Sequence, residues 1–347
     1  MSTRVDDLWF EDSSLVIKAE EKLFRISKCL LAARSTIFKD MLSFPPVPDG
    51  EMELIDGIPV VTLSDSAKDV EVFLRAIFDS SFFMPPPEPV QLQEVVGVLR
   101  LSHKYEVGYL YRRALEHLSW RLYFPSIEAY RASEGIEEPW SITFIGSSAK
   151  PNAQEIFTII KVCTTVGAAW LLPMAYYYAC YHIRQTDLLS MTSAEDEHHS
   201  RLCLLACRDL IANNVAAFSF LKYFNLEEDC VDSRWCEKVR QGLWSLVLGA
   251  VEVPLDVAPL DSFRGDIWEQ VYLEDENSTQ DEDEPGAFCV PCHHASKTRH
   301  DDFLQECWNN LPSFFHLPSW SELEPARQAV FGFGESTTGE MGNLDEA

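Results

Sequence analysis

The sequence has few basic residues for its length, and this shortage excludes some functions. Its 347 residues include 28 Lys and Arg against 55 Asp and Glu, which gives a formal net charge of -27. A surface this negative repels nucleic-acid backbones and anionic lipid headgroups. We therefore expect partners that are other proteins, and neither direct nucleic-acid binding nor membrane binding.

The sequence also lacks common signatures of catalysis and secretion. It contains no G-x-x-x-x-G-K-[ST] loop, no G-x-G-x-x-G after a predicted strand and no H-E-x-x-H helix. Residues 1–10 include acidic side chains and no apolar segment of signal-peptide length. The ten cysteines are accordingly interpreted as reduced thiols. We expect a non-enzymatic protein without a cofactor, located inside the cell in the cytoplasm or the nucleus.

One uncharged run is long enough to cross a membrane. Residues 162–181 carry no formal charge, which matches the length of a transmembrane helix. Gly167 and Pro173 divide the run into two shorter pieces. We therefore interpret it as two buried helical segments.

The first third of the chain alternates short strand patterns with helical ones. Residues 15–19 and 23–26 are β-prone runs separated by a charged tip, as in a hairpin. Residues 29–42 are helical, with Ser35 placed to cap their second half. Another strand is expected at 59–63, followed by a helix with an apolar stripe. This order predicts an α+β domain with a small β-sheet and clustered helices.

Three blocks in this region resemble the BTB/POZ family. Residues 23–42 resemble its "F-x-x-H-x-x-x-L-A-A-x-S-x-x-F-x-x-M" signature, with Ser27 at the His position. Residues 60–65 and 101–107 are similar to the family's third strand and its "L-A-x-K-Y-x-V" helix, in the right order. The resemblance covers residues 8–123. It implies a module that dimerises and recruits protein partners.

The resemblance also guides the expected interface and function. We expect a homodimer contact at six apolar residues of the first helices: Leu30, Leu31, Ile37, Phe38, Met41 and Leu42. Some family members are substrate adaptors of cullin-type ubiquitin ligases, binding the cullin scaffold through a hydrophobic-x-Glu loop. Residues 51–55 are the nearest candidate for that loop. The alternative is a scaffold or transcriptional regulator without ligase association.

The remaining two thirds are predicted to be mostly α-helical. Residues 166–176 resemble a stretch that follows the BTB domain in many fungal BTB proteins. The predicted boundaries are a BTB/POZ domain at 1–124, a helical domain at 125–272, an acidic linker at 273–286, a Cys/His-containing segment at 287–331 and a disordered tail at 332–347. In the linker, Ser278 and Thr279 precede acidic residues, a pattern that acidophilic kinases prefer.

The Cys/His-containing segment holds the sharpest chemical motif. Cys289 and Cys292 form a Cys-x-x-Cys turn that can present two thiolates to one ion. His300 and Cys307 follow, and the four together are a candidate structural zinc site. The alternative is a pair of packed thiols beside a histidine-rich loop. A metal-dependent enzyme built on this segment is a third functional class.

Overall fold

The computed structural model describes eight stretches of the chain. These are residues 2–44, 53–133, 141–144, 151–191, 193–222, 227–249, 258–262 and 288–332. The predicted acidic linker at 273–286 lies outside the described residues, as does the predicted tail apart from Gly332.

A five-stranded sheet forms the N-terminal part of the fold. Its strands are β1 (Thr3–Trp9), β2 (Leu15–Ala19), β3 (Lys22–Ile26), β4 (Leu54–Ile55) and β5 (Ile58–Leu63), in the order β1-β3-β2-β5-β4. β2 and β3 form the predicted hairpin, with Leu15 opposite Ile26. The turn between them places Glu20 at a φ of 48°. The central strand β2 is apolar apart from Lys18, because both of its faces are largely covered.

Five helices follow and pack beside this sheet. They are α1 (Lys28–Arg34), α2 (Thr36–Ser43), α3 (Ala67–Phe78), α4 (Leu92–Lys104) and α5 (Gly108–Leu122). Serine side chains begin the first three: Ser27, Ser35 and Ser66 each accept a hydrogen bond from a backbone N–H three residues on. α3 packs on α4, and α4 packs on α5. The small sheet with clustered helices is the predicted α+β domain.

The rest of the described chain is mostly helical, as predicted. Its helices are α6 (Ile127–Ser133), α7 (Ala153–Thr165), α8 (Leu172–His182), α9 (Gln185–Leu189), α10 (Ala194–Ala217), α11 (Ser219–Lys222), α12 (Ser233–Gly249), α13 (Val290–Phe314) and α14 (Trp320–Phe331). Short 3₁₀ turns occur at Ala169–Leu171 and Pro259–Asp261. The strands β6 (Val90–Gln91) and β7 (Ile142–Thr143) form a small parallel pair.

The uncharged run divides as predicted. α7 ends at Thr165 and α8 begins at Leu172, with Gly167 between them at a φ of 75°. This backbone conformation is open to glycine and strained for other residues. A different stretch, Asp196–Leu221, is long and apolar enough to cross a membrane by length and composition alone.

The described chain divides into two compact units. The first contains the described residues of 1–123, 139–172 and 324–347. α7 therefore belongs with the BTB-like region, and this differs from the predicted helical domain at 125–272. The reason is packing: α7 lies on α4, and the Tyr111 hydroxyl donates to the Val166 carbonyl at 3.1 Å.

The second unit contains the described residues of 124–138 and 173–323. A buried polar contact organises its interior. Tyr177 is 1% exposed, and its hydroxyl donates to Asp261 at 2.7 Å. Tyr130 donates to the same carboxylate at 3.1 Å. These bonds tie α6 and α8 to the 3₁₀ turn at Pro259–Asp261.

Candidate functional site

The helices α1 and α2 meet at Ser35, which fixes their relative direction. The Ser35 hydroxyl accepts from the Phe38 N–H at 3.0 Å and donates to the Tyr105 carbonyl at 2.5 Å. Ser35 thus ends α1, begins α2 and attaches both to the end of α4. Nearby, Thr36 donates to the Glu106 carboxylate. The helix pair is therefore held rigidly on the domain.

Two of the six residues predicted for the dimer contact do not reach the surface. Leu31 and Phe38 are both 0% exposed. The Phe38 ring stacks on Tyr105 with ring centroids 4.5 Å apart. A side chain with no accessible surface cannot contact a second chain. The prediction of a dimer contact is therefore corrected at Leu31 and Phe38.

The other four predicted residues keep part of their surface. Leu30, Ile37, Met41 and Leu42 are half-buried. The next apolar residue, Phe44, is 74% exposed. We call Leu30, Ile37, Met41, Leu42 and Phe44 the α1–α2 apolar patch. It is the part of the predicted interface that is open to a partner.

A second exposed apolar residue lies at the edge of the sheet. Leu54 in β4 is 56% exposed. Its neighbour Glu53 forms an ion pair with Lys18 at 2.8 Å. Glu51 and Met52, the start of the nearest candidate for a cullin-binding loop, lie outside the described residues. In the described part of this candidate loop, Leu54 is exposed, whereas the Glu53 carboxylate is already paired with Lys18.

The junction between β5 and α3 is fixed by one carboxylate. Asp65 accepts from Lys104 at 2.7 Å and from the Tyr105 hydroxyl at 2.5 Å. Burial and the Asp65 carboxylate raise the pKa of Tyr105, so its hydroxyl stays protonated and remains a donor. This contact belongs to the scaffold of the first unit and exposes no reactive group.

The second unit brings four cysteine thiols together. Their Sγ atoms lie within 4.8 Å of one another, and we call Cys230, Cys236, Cys289 and Cys292 the four-cysteine cluster. Cys230 precedes α12, Cys236 is in its first turn, and Cys289 and Cys292 begin α13. Cys236 and Cys292 are 0% exposed, whereas Cys230 and Cys289 are half-buried.

The structure brings together only two of the four residues predicted as zinc ligands. Cys289 and Cys292 are in the cluster, but His300 and Cys307 are not. They lie about 12 and 22 Å further along the same helix, at 1.5 Å per residue. His300 is instead close to the Ser262 hydroxyl, with Nε2 at 2.9 Å. Burial raises the pKa of the Cys307 thiol to about 12.

Sequence inspection missed Cys230 and Cys236. They precede Cys289 by 59 and 53 residues. A local motif search pairs nearby cysteines, and these two come close to Cys289 only through the packing of α12 on α11 and of α11 on α13. The available signal was a second cysteine pair, Cys-x-x-x-x-x-Cys, at the start of a predicted helix.

The thiols of the cluster differ in acidity. Burial opposes ionisation of Cys289, but the backbone N–H groups of Cys292 and Val231 bond to its sulfur and lower its pKa to about 7. Burial raises the pKa of Cys292 to about 11. Hydrogen bonds from the backbone thus favour the thiolate form of Cys289.

The predicted phosphorylation sites, Ser278 and Thr279, lie outside the described residues. The phosphorylation of these two residues stays a prediction.

Comparison with known proteins agrees with the architecture of the first unit. A sequence model of the BTB/POZ domain matches residues 9–122, about a third of the chain. No curated protein matches the chain. The match spans the sheet from the end of β1, the helix pair α1–α2 and the helices through α5. Because this family mediates protein–protein interaction, the matched residues form a protein-interaction module. Residues 9–122 therefore form a BTB/POZ domain, and the remaining described part of the chain is mostly helical.

Proposed function

We propose that the chain forms a homodimer through the α1–α2 apolar patch and recruits a protein partner in that form. The observation that carries this proposal is the patch itself. Ile37, Met41 and Leu42 occupy α2 without being fully covered, and Phe44 after them is 74% exposed. An exposed apolar patch on a rigid support is typical of a protein interface. A second copy of the same helix pair offers a self-complementary apolar surface.

Sedimentation velocity of the full chain tests the dimer. We expect a species of twice the 39.5 kDa chain mass at micromolar concentration. Ile37→Glu places a charge in the contact and raises the dissociation constant at least about 100-fold, which releases monomer. Met41→Glu is a second variant, since it changes another residue of the same patch.

The matched control is Trp120→Glu. Trp120 is 40% exposed on α5 and lies outside the patch. This variant should remain dimeric. A wild-type monomer, or a dimer that withstands both patch variants while they keep their helical circular dichroism, would contradict the proposal.

The partner we propose is a cullin-type ubiquitin ligase scaffold, for which the chain acts as a substrate adaptor. The support is the exposed Leu54 beside Glu53 on the edge strand β4. An edge strand leaves backbone donors and acceptors open to another chain. The alternative is a scaffold or transcriptional regulator that binds no ligase.

Capture of the tagged full chain from its native cells, followed by mass spectrometry, separates the two functions. We expect a cullin with the wild type and a loss of cullin with Leu54→Arg. The control is Leu189→Arg, because Leu189 is 69% exposed on α9 and lies in the second unit. Absence of a cullin from every capture would favour the scaffold or regulator function.

An intracellular location, in the cytoplasm or the nucleus, completes the proposal. It is supported by the ten cysteines, none of which is paired in a disulfide. Disulfides persist in oxidising compartments and are rare in the cytosol and nucleus. Fluorescence microscopy of the tagged full chain tests this location, and a signal confined to the secretory pathway would contradict it.

A further inference from the structure

The four-cysteine cluster joins two segments that are distant in sequence, residues 230–236 and 289–292. Cys230 lies in the turn before α12, Cys236 lies in α12, and Cys289 and Cys292 begin α13. Small buried cysteines in a core are ordinarily distributed among apolar neighbours. Here four sulfurs are each other's neighbours, all within 4.8 Å. Core packing alone does not explain why four cysteine sulfurs lie next to one another.

The spacing of the sulfurs suits a tetrahedral ion. With a Zn–S bond of about 2.3 Å, the edge of a regular tetrahedron of sulfurs is about 3.8 Å. The sulfurs of Cys230 and Cys289 are 3.9 Å apart. A disulfide requires about 2.05 Å between sulfurs, and all four cysteines are free. The arrangement therefore matches a shared ligand better than oxidised pairs.

Backbone N–H groups point at the sulfurs, which is a second and independent observation. The Cys289 N–H donates to the Sγ of Cys236 at 3.4 Å. The N–H groups of Cys292 and Val231 bond to the sulfur of Cys289, and that of Glu227 bonds to the sulfur of Cys292. Such donors orient thiolate ligands and offset their negative charge. Neutral thiols in a core have no need of them.

The surroundings of the cluster exclude water from one side. Cys236 and Cys292 belong to a small apolar core with Phe220, Leu221 and Phe288. The half-buried Cys230 and Cys289 leave an entry path for an ion from solvent. All four coordination positions are filled by protein, as in structural zinc sites, whereas catalytic sites keep one position open.

The geometry points to a structural Zn²⁺ site formed by the thiolates of Cys230, Cys236, Cys289 and Cys292. The ion links the turn before α12 and α12 itself to the N-terminus of α13. It thereby connects segments 59 residues apart in sequence. Its role is to hold the second unit together.

Metal analysis of the full chain is the first test. The chain is purified under reducing conditions without chelator, and its metal content is measured by plasma mass spectrometry. We expect about one zinc per chain, as one tetrathiolate site requires. Replacement by Co²⁺ should give the intense sulfur-to-metal charge-transfer absorption and the visible bands of tetrahedral thiolate coordination. Iron in place of zinc, or a chain that takes up no Zn²⁺ when it is added, would overturn the assignment.

Substitutions identify the ligands. Cys230→Ser and Cys289→Ser change the two half-buried thiols, so they disturb the apolar core least. Loss of a residue that only hydrogen-bonds to a metal ligand lowers metal affinity about 10- to 100-fold, so the loss of a direct ligand should lower the Zn²⁺ affinity by more than about 100-fold. The controls are Cys29→Ser, an exposed thiol outside the cluster, and Cys307→Ser, from the set predicted by sequence. Both controls should keep the zinc.

Thiol alkylation of the wild type tests the site without substitutions, so it remains informative if the cysteine variants fail to fold. With zinc bound, the four cluster thiols should resist a maleimide, and a chelator should make them reactive together. Cys29 is exposed and should react in both conditions. Zinc retained by Cys230→Ser or lost by Cys307→Ser, or cluster thiols that react equally with and without chelator, would overturn the site.

Discussion

Replacement of Ser35 by alanine tests how the helix pair α1–α2 is held on the domain. The Ser35 hydroxyl serves two backbone groups at once, the N–H of Phe38 and the carbonyl of Tyr105. Loss of a helix N-cap costs about 1 kcal/mol. A buried carbonyl left without its donor costs about 1 to 3 kcal/mol more. We therefore expect Ser35→Ala to lower the free energy of unfolding of the first unit by roughly 2 to 4 kcal/mol.

The matched control is Ser66→Ala. Ser66 caps α3 by accepting from the Asp69 N–H at 3.1 Å, but it is exposed to solvent. Water replaces its hydroxyl, so only the cap contribution of about 1 kcal/mol should be lost. The difference between the two variants isolates the buried bond to Tyr105.

Hydrogen exchange of the full chain, read on peptides from β2 and β3, measures both variants. The slowest amides of these buried strands report the global opening of the first unit, independently of the second. Protection should fall roughly 30- to 1000-fold for Ser35→Ala, since about 1.4 kcal/mol is a factor of ten. Equal losses for the two variants would refute the double role of Ser35.

Three further predictions concern the cores and the pH dependence of stability. Phe38→Ala removes a ring that is 0% exposed and should destabilise the first unit by about 3 to 5 kcal/mol, measured by the same exchange. Tyr177→Phe removes a donor to Asp261 and should destabilise the second unit by about 1.5 to 3 kcal/mol; unchanged protection of α8 peptides would refute this. Burial, with Arg131 nearby, lowers the pKa of His300 from 6.5 to about 4, so its folded form resists protonation. Its contribution to the free energy of unfolding is therefore largest above about pH 6.5 and decreases as the pH falls towards 4. At pH 4.5 the decrease is roughly 2 to 3 kcal/mol. The acid sensitivity of the second unit should shrink by that amount in His300→Gln.

The parts of the fold with strong local patterns could be predicted from sequence. The hairpin β2–β3 consists of two short, mostly apolar runs on either side of a charged tip. α3 repeats its apolar residues at helical spacing, and the residues Val70, Phe73, Leu74 and Ile77 are buried as that spacing requires. Ser35 was recognisable as a cap because it follows one helical segment and precedes another.

The elements that depend on tertiary contact could not be predicted. β1 contains Arg4 and two aspartates, and this composition disfavours a strand. The strand forms because it pairs with β3. The Arg4 guanidinium is in turn paired with the Asp56 carboxylate at 2.8 Å. In α10, Leu205 is apolar but 57% exposed, because the buried face of the helix holds Cys203, Cys207 and Leu210.

The candidate sites, too, could be predicted where local sequence determines them and could not be predicted where tertiary packing does. The family resemblance predicted an interface on α1 and α2, but it does not tell which side of each helix the domain's own core occupies. Phe38 faces that core, and Met41 keeps part of its surface. The Cys-x-x-Cys pair was visible in the sequence, but its partners were not, because three-dimensional packing brings Cys230 and Cys236 to it.

Site-specific photo-cross-linking is a direct test of dimerisation through the α1–α2 apolar patch. A photoreactive phenylalanine analogue replaces Ile37 in the full chain, with the same analogue at Trp120 as the control. The analogue at position 37 should give a product of twice the 39.5 kDa chain mass, joined between peptides from residues 28–44 of both chains. The control should give no such product. Links within one chain only, or a dimer product from position 120 alone, would contradict the account.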